Sequence, residues 1–169
     1  TTGSQQGGST ITQQLIKNLT EYDEVTVKRK LLEIFRALDF EKTYSKEEIM
    51  EWYLNKIYLG EGCYGIAAAA DEYFGKTPDQ LTVAECASII GITNNPSIYD
   101  PYLNPTKNRE RQLIILGQML AQEKITQEEY DEAVAQEMVF TSKRADDTQE
   151  SSIYYSYFVD QVIRDVTSD

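Results

Sequence analysis

Apolar residues along most of the chain recur at the spacing of a helix rather than of a strand. Between residues 25 and 44 the apolar positions fall at steps of four, three, one and three residues, which places them on one helical face: Val27, Leu31, Ile34, Phe35 and Leu38. Val, Ile and Thr do not alternate with polar residues over the length of a strand. The pattern therefore predicts an all-α fold.

Capping signals set the ends of the predicted helices. Ser9 or Thr10 opens the first helix, which runs to about Leu19. Ser45, Thr82 and Thr126 are each followed three residues later by Glu, the pattern of a capping box. The further helices are predicted over about 25–44, 45–58, 66–74, 84–92, 107–123 and 126–136, with a flexible glycine-rich connector at 60–65 and an irregular loop at 93–105.

A change in composition after residue 139 indicates how the chain is organised. Residues 141–152 are rich in Ser, Thr and Asp and hold no large apolar residue, which predicts a linker between a globular domain over 1–140 and a helical segment over 153–169. The first residue is Thr rather than Met. We therefore expect an N-terminally truncated piece of a longer protein.

Charge and residue content exclude several classes of function. The 169 residues hold 28 acidic and 16 basic side chains, a formal net charge of −12, which argues against nucleic acid as a partner because such binding neutralises phosphates. The absence of His from the sequence excludes Ser-His-Asp catalysis and His-ligated metals. Two cysteines, Cys63 and Cys86, are too few for a zinc ribbon, and their spacing leaves open whether they pair.

The first stretch that can carry chemistry opens the first helix. After two glycines and Ser9, the polar side chains of Thr10, Gln13, Gln14 and Lys17 recur at helical spacing and form a stripe that ends in a cation. Such a stripe can hold a sugar with an attached phosphate, and the helix N-terminus favours anions. An ordinary capped surface helix explains the same pattern.

The second stretch is a charge cluster on the next helix. Arg29 and Lys30 lie four and three residues before Glu33, so the three side chains can meet on one face. A carboxylate held by two cations stays ionised. It can steer the cations, take part in metal binding or act as a weak base. The alternative is a solvated cluster worth roughly 0.3–0.5 kcal/mol per ion pair.

Two further polar residues, Asn55 and Arg111, can have either a structural or a ligand-binding role. Asn55 lies near the end of the third helix, where it can cap the helix or hydrogen-bond a loop. Arg111 lies on the long helix at 107–123 and can either project toward a polyanionic ligand or remain solvated.

Four stretches occur in the order and wording of one family. They are Gly8–Gln14, then Arg29-Lys30-x-x-Glu33, then Ile49–Asn55 with Gly65–Lys76, and finally Ser97–Leu116. On these stretches the chain resembles the peptidoglycan glycosyltransferase domain of class A penicillin-binding proteins and monofunctional transglycosylases. Residues 157–163 resemble the entry to the linker and transpeptidase region of bifunctional members.

The resemblance implies a lysozyme-like helical fold and polymerisation of lipid II into glycan strands on the outer face of the bacterial cytoplasmic membrane. It implies inversion at the anomeric carbon, release of undecaprenyl pyrophosphate, a membrane anchor upstream of this sequence and inhibition by moenomycin. Glu33 becomes the candidate catalytic residue. The candidate substrate-binding residues are Ser9, Gln13, Gln14, Lys17, Arg29, Lys30, Asn55 and Arg111. No cofactor is required with certainty, and a divalent cation, Mg or Mn, stays open.

The resemblance also places the general base in an acidic motif upstream of the Gly-Ser-Thr motif, so we expect the fragment by itself to be inactive. Leu32 replaces a Lys found in some members of the family, and Gln112 replaces the second basic residue of the last motif. We therefore expect phosphate binding to be weaker or to draw its cations from elsewhere in the chain. Two rival functions stay open at this point. One is a lysozyme-like enzyme that cleaves glycans, and the other is a helical binding module without catalytic activity.

Overall fold

A computed structural model of the chain describes residues 9–20 and 27–141. All regular elements within these residues are helical, as the sequence predicts: α1 (Ile11–Thr20), α2 (Val27–Thr43), α3 (Lys46–Lys56), α4 (Ile66–Phe74), a 3-10 turn (Pro78–Gln80), α5 (Val83–Ile92), α6 (Pro96–Tyr99), α7 (Pro105–Ala121) and α8 (Gln127–Ala135). The predicted linker and the predicted last helix lie outside the described residues, and the proposed boundaries of the domains stay predictions.

The chain divides into two compact units. The described residues of the first unit are 9–20 and 27–56. Helix α1 packs against both α2 and α3, and it buries Leu15, Ile16 and Leu19. An aromatic cluster joins α2 to α3: the Phe40 ring lies 4.5 Å from Tyr44 and 5.3 Å from Trp52, measured between centroids. Burial of these rings supplies apolar area and edge-to-face contacts that hold α2 against α3.

The apolar face that the sequence indicates on α2 is not the buried face among the described residues. Leu31, Phe35 and Leu38 are 52%, 67% and 52% exposed, whereas Glu33 is only 5% exposed. The reason is geometric, because α1 packs on the side of α2 that carries Glu33 rather than on the apolar side. A regular apolar stripe indicates which face of a helix is hydrophobic, but it does not indicate which element, if any, packs on that face.

The predicted capping boxes are present. At the start of α3 the Ser45 amide donates to Glu48 at 2.8 Å and the Glu48 amide donates to Ser45 Oγ at 3.2 Å. The reciprocal pairs at Thr82 and Thr126 close in the same way before α5 and α8. Local sequence fixes these helix starts because each box satisfies amides that the helix itself leaves unpaired.

The second unit begins at Ile57 and is built around α5, α7 and α8. Its core includes Ala84, Ala87, Leu116, Ile125 and Ala133. Polar side chains are also buried between α5 and α7. The Gln112 amide donates to the Ala84 carbonyl at 2.6 Å, and the Ser88 hydroxyl donates to Asn108 at 2.6 Å. These bonds fix the register of the two helices, since a buried polar group without a partner is costly.

Residues 57–65 form a hydrogen-bonded turn rather than the flexible connector that the glycines suggest. Tyr58 and Tyr64 pair in an antiparallel bridge, and the Leu59 amide donates to the Cys63 carbonyl at 2.9 Å. Glu61 holds a φ of 47°. Gly60 is required at its position, because a Cβ there would lie 2.7 Å from the Tyr73 hydroxyl. The irregular loop predicted at 93–105 likewise contains a short helix, α6.

The described part of the chain also bears on membrane crossing and on the two cysteines. Each helix in residues 9–20 and 27–141 is too short or too polar to cross a bilayer. Cys63 is buried and Cys86 is exposed, and both are free thiols.

The loop after α6 yields a prediction about pH and stability. Asp100 is buried and accepts hydrogen bonds from the amides of Tyr102, at 2.8 Å, and Leu103, at 3.3 Å. Burial raises the pKa of the Asp100 carboxyl, the two amides oppose that rise, and the neighbouring Glu61 adds to it. A carboxyl with a raised pKa binds its proton more tightly in the folded state than in the unfolded state. The stability that this proton adds is therefore lost as the pH rises above the ordinary pKa of 3.8.

We therefore expect Asp100→Asn to raise the Tm by about 3 °C at pH 7 and to give no gain at pH 3. The amide oxygen keeps both backbone hydrogen bonds, and the amide nitrogen can donate toward Glu61. Thermal unfolding at the two pH values measures the effect. Asp39→Asn, at a side chain that is 80% exposed, is the control. A Tm below that of the wild type at pH 7 would contradict this account.

Candidate functional site

The candidate site forms where the start of α1 meets α2. Thr10 caps α1, because the Gln13 amide donates to its hydroxyl at 3.2 Å. The cap brings Ser9 and Gln13 to the same end of the helix. Both then lie within reach of the basic segment that opens α2.

Lys30 joins the first two motif stretches, Gly8–Gln14 and Arg29–Glu33, through a single ammonium group. Its Nζ donates to Ser9 Oγ at 2.9 Å, to Gln13 Oε1 at 3.4 Å and to Glu33 Oε2 at 2.9 Å. The Lys30 side chain is nevertheless 43% exposed. The ammonium is therefore held in place by protein oxygens and still presents a face that a ligand oxygen can approach.

Glu33 is the centre of the charge cluster. Its Oε1 lies 3.1 Å from Arg29 Nε and its Oε2 lies 2.9 Å from Lys30 Nζ. The Arg29 contact therefore has the distance of an ion pair. With two cations around one carboxylate, the cluster has a formal charge of +1, which suits an anion better than a neutral ligand.

Gln14 occupies a second position beside the first. Its Nε2 donates to the Ser9 carbonyl at 3.4 Å, and its Oε1 accepts a hydrogen bond from the Tyr53 hydroxyl at 3.3 Å. Tyr53 thus orients a predicted site residue from α3. Sequence reasoning placed Tyr53 in a motif without assigning it this contact, because side chains 39 positions apart give no local signal.

A second contact that the sequence did not indicate fixes α1 on α2. The buried Thr12 hydroxyl donates to Glu41 Oε1 at 2.5 Å. Thr12 lies two positions from Thr10, on the side of α1 that faces α2. This hydrogen bond fixes the position of α1 along the axis of α2. It thereby also fixes the position of Gln13 relative to Lys30.

Lys17 and Asn55 keep exposed side chains. Lys17 lies on α1 one turn after Gln13, and Asn55 lies near the C-terminus of α3. Both belong to the first unit with the Lys30 cluster. The structure gives neither residue a hydrogen bond to the cluster, so their roles in binding stay predictions.

Arg111 belongs to the second unit, on α7. Its neighbour Gln112, which replaces the family's second basic residue, is fully buried and donates to the Ala84 carbonyl. A side chain at position 112 therefore points into the core between α5 and α7. Gln112 therefore joins α5 to α7, and the expectation of weaker phosphate binding stays a prediction.

The donor set does not fit a divalent cation held by the protein alone. Mg²⁺ and Mn²⁺ take oxygen ligands from one or more carboxylates. In the described part of the chain, no three His, Cys, Asp or Glu side chains come together as a metal site. Both oxygens of Glu33 already face cations. No step of the reaction is therefore assigned to a metal.

Comparison with known proteins adds the family. A family model described as Transglycosylase matches residues 1–120. A protein of Cupriavidus necator that is classed as a transglycosylase is 48% identical over 129 residues, which cover 76% of this chain and 56% of that protein. Penicillin-binding protein 2D of Bacillus subtilis is 44% identical over 161 residues, which cover 95% of this chain and 23% of that protein.

A solved structure supports the same assignment. The crystal structure of penicillin-binding protein 1A from Haemophilus influenzae matches 80% of this chain and 17% of its own chain, with a TM-score of 0.56 and 32% identity. The likeness confirms the lysozyme-like, all-α fold class. The family match and the relatives also confirm the resemblance that the four motifs indicate. Because the family model covers well over half of its residues, the chain belongs to the transglycosylase family.

Proposed function

We propose that this chain is part of a peptidoglycan glycosyltransferase that polymerises lipid II on the outer face of the bacterial cytoplasmic membrane. The observation that carries the proposal is the position of the Lys30 ammonium, which contacts Ser9 and Gln13 of the first motif and Glu33 of the second. Two sequence motifs thereby form one site with a net positive charge.

The charge of this site suits the leaving group of the proposed reaction. The 4-hydroxyl oxygen of one disaccharide attacks the anomeric carbon of another, the bond from that carbon to the pyrophosphate oxygen breaks, and the carbon inverts. The pyrophosphate gains negative charge as it leaves, so cations already in place stabilise the transition state more than the ground state. Lys30 and Arg29 supply these cations, and Lys17 of the same unit is proposed to act beside them. Arg111 of the second unit is a further proposed phosphate-binding residue.

Glu33 acts on the cations rather than on the attacking hydroxyl in this proposal. It is 5% exposed and lies between Arg29 and Lys30. A carboxylate in that position orients the two cations and offsets their mutual repulsion. The hydroxyl proton goes to a general base, which the resemblance places in an acidic motif that precedes the Gly-Ser-Thr motif.

The neutral hydrogen-bonding groups have a matching role. Ser9, Gln13, Gln14 and Asn55 would bind sugar hydroxyls and phosphate oxygens. The Tyr53 hydroxyl donates to the side-chain oxygen of Gln14 and holds the amide in place. The amide therefore loses less conformational entropy when a ligand binds.

Neither rival function is favoured. A glycan-cleaving enzyme of lysozyme type needs a carboxyl that stays protonated in an apolar setting, whereas Glu33 lies against two cations. A module without catalytic activity does not require an exposed ammonium held by three oxygens.

The proposal further includes attachment to the membrane through an N-terminal anchor, which the resemblance supports. A chain with a net charge of −12 is by itself repelled from an anionic surface.

The first prediction separates binding from turnover. These 169 residues alone should bind moenomycin, a phosphoglycolipid, and should make no glycan strands from lipid II, because the general base lies in none of the motifs they carry. Calorimetry measures the binding, and gel analysis of labelled lipid II measures the strands. Strands formed by the chain alone would refute this placement of the base.

The second prediction concerns the Lys30 ammonium. Lys30→Met should weaken moenomycin binding about 10- to 100-fold, as expected for the loss of a hydrogen bond to a charged group. Lys28→Met is the matched control, since Lys28 is an exposed lysine on the same helix. Equal losses in the two variants would mean that only general positive charge matters and that the site is wrongly placed.

The third prediction concerns Glu33 in a full-length protein that contains this chain. Glu33→Gln should lower kcat about 100-fold, because an uncharged amide no longer orients the two cations. Glu48→Gln removes the same charge on α3 while an amide can still complete the capping box, and its turnover should stay at the wild-type value. Normal turnover of Glu33→Gln would reduce Glu33 to a part of the scaffold.

A further inference from the structure

We propose that Gly91, Tyr99 and Asn108 form a slot that positions the Arg111 guanidinium for a pyrophosphate group. The proposal rests on the proposed function, since it assigns the ligand of Arg111 from the leaving group of that reaction. It adds three positioning residues, none of which carries a charge.

Gly91 forms the wall of the slot on α5. A Cβ built on this buried glycine would lie 3.1 Å from Cγ of Arg111 and 3.7 Å from its Cβ. Glycine in the interior of a helix costs stability relative to alanine. Here it allows the aliphatic stem of Arg111 to lie directly against the α5 backbone. The stem therefore has little freedom to change its rotamer.

Tyr99 lies at the other end of the Arg111 side chain. The centre of the Arg111 guanidinium is 6.0 Å from the centroid of the Tyr99 ring, at the outer limit of a cation–π contact. The ring therefore limits where the charged head can move. Stem and head are restrained by residues from two different helices, α5 and α6.

Asn108 fixes the two restraining helices relative to α7. This buried side chain donates to the Ser88 carbonyl of α5 at 3.2 Å and to the Tyr99 carbonyl of α6 at 2.8 Å. Its own oxygen accepts the Ser88 hydroxyl at 2.6 Å. Asn108 lies one helical turn before Arg111, so the slot and the arginine share one anchored turn of α7.

One donor of Arg111 has no acceptor within the part of the chain that the structure describes. Its Nε is buried, and no hydrogen-bond acceptor for it occurs among the described residues. A buried N–H without a partner is unfavourable, and an oxygen of a phosphate group would relieve that cost. Because the side chain is already restrained, binding loses less rotamer entropy than it would with a free arginine.

The test uses the 169-residue chain, inorganic pyrophosphate as the probe and two readouts. One is the NMR signal of the Arg111 Nε–H, which a restrained side chain keeps sharp, and the other is the Kd for pyrophosphate. Gly91→Ala should broaden or shift the signal and raise the Kd about tenfold. Gly117→Ala is the matched control on α7, because a Cβ there meets nothing within 4 Å, and it should change neither readout.

A double-mutant cycle separates positioning from general damage to the fold. Arg111→Ala removes the Cγ atom that a Cβ at position 91 would approach. In that background Gly91→Ala should cause no further rise in Kd and should lose most of its effect on the Tm. If the rise in Kd of the double variant equals the sum of the two single effects in free energy, the two residues act independently and the proposed slot is wrong.

Tyr99 provides a second variant in case Gly91→Ala folds poorly. Tyr99→Leu should raise the Kd about two- to fivefold through loss of the ring face, and Tyr99→Phe, which keeps the ring, should restore it. If Arg111→Ala leaves the Kd unchanged, the phosphate role in the proposed function fails. If Arg111→Ala weakens binding while Gly91→Ala and Tyr99→Leu behave as the control does, the slot is wrong and the proposed function stands.

Discussion

The contact between the Lys30 ammonium and the Glu33 carboxylate, at 2.9 Å, is the interaction on which the first unit's site depends. Lysine has a long stem with four rotatable bonds and a compact charge, so an exposed lysine ordinarily samples many positions. Glu33 is nearly fully buried and cannot follow it. The buried carboxylate therefore anchors the ammonium, and the anchored ammonium in turn holds Ser9 and Gln13 at the start of α1.

The proposed anion site belongs to a strongly acidic chain, and the local charges of the cluster explain how the two are compatible. At physiological salt, exposed charges more than about 8 Å apart are largely screened from one another. The net charge of −12 therefore matters for approach to a charged surface and matters little within the cluster. At the distance of a hydrogen bond, the local sum of two cations and one carboxylate decides the sign. Burial of Glu33 strengthens this local effect because less water separates the charges.

Local signals in the sequence predicted the parts of the structure that depend on a few neighbouring residues. The three capping boxes occur where the sequence placed them. The Arg29, Lys30 and Glu33 cluster was predictable because all three residues lie within one helical turn and a half. Recognition of the motifs supplied the function, which spacing alone left open between a binding site and a solvated surface.

The features that sequence reasoning missed are those set by contacts distant along the chain. Nothing near Leu31 or Phe35 shows that the apolar side of α2 is exposed, because the packing of α1 decides it. The sequence shows Gln112 only as a replaced basic residue, and its hydrogen bond to the Ala84 carbonyl is known only from the structure. The same limit applies to glycine: Gly91 and Gly117 look alike in sequence, yet only Gly91 lies against another side chain. The chemical meaning of a residue thus follows from what the fold brings to it, and a cation becomes a binding group only when its neighbours remove its freedom.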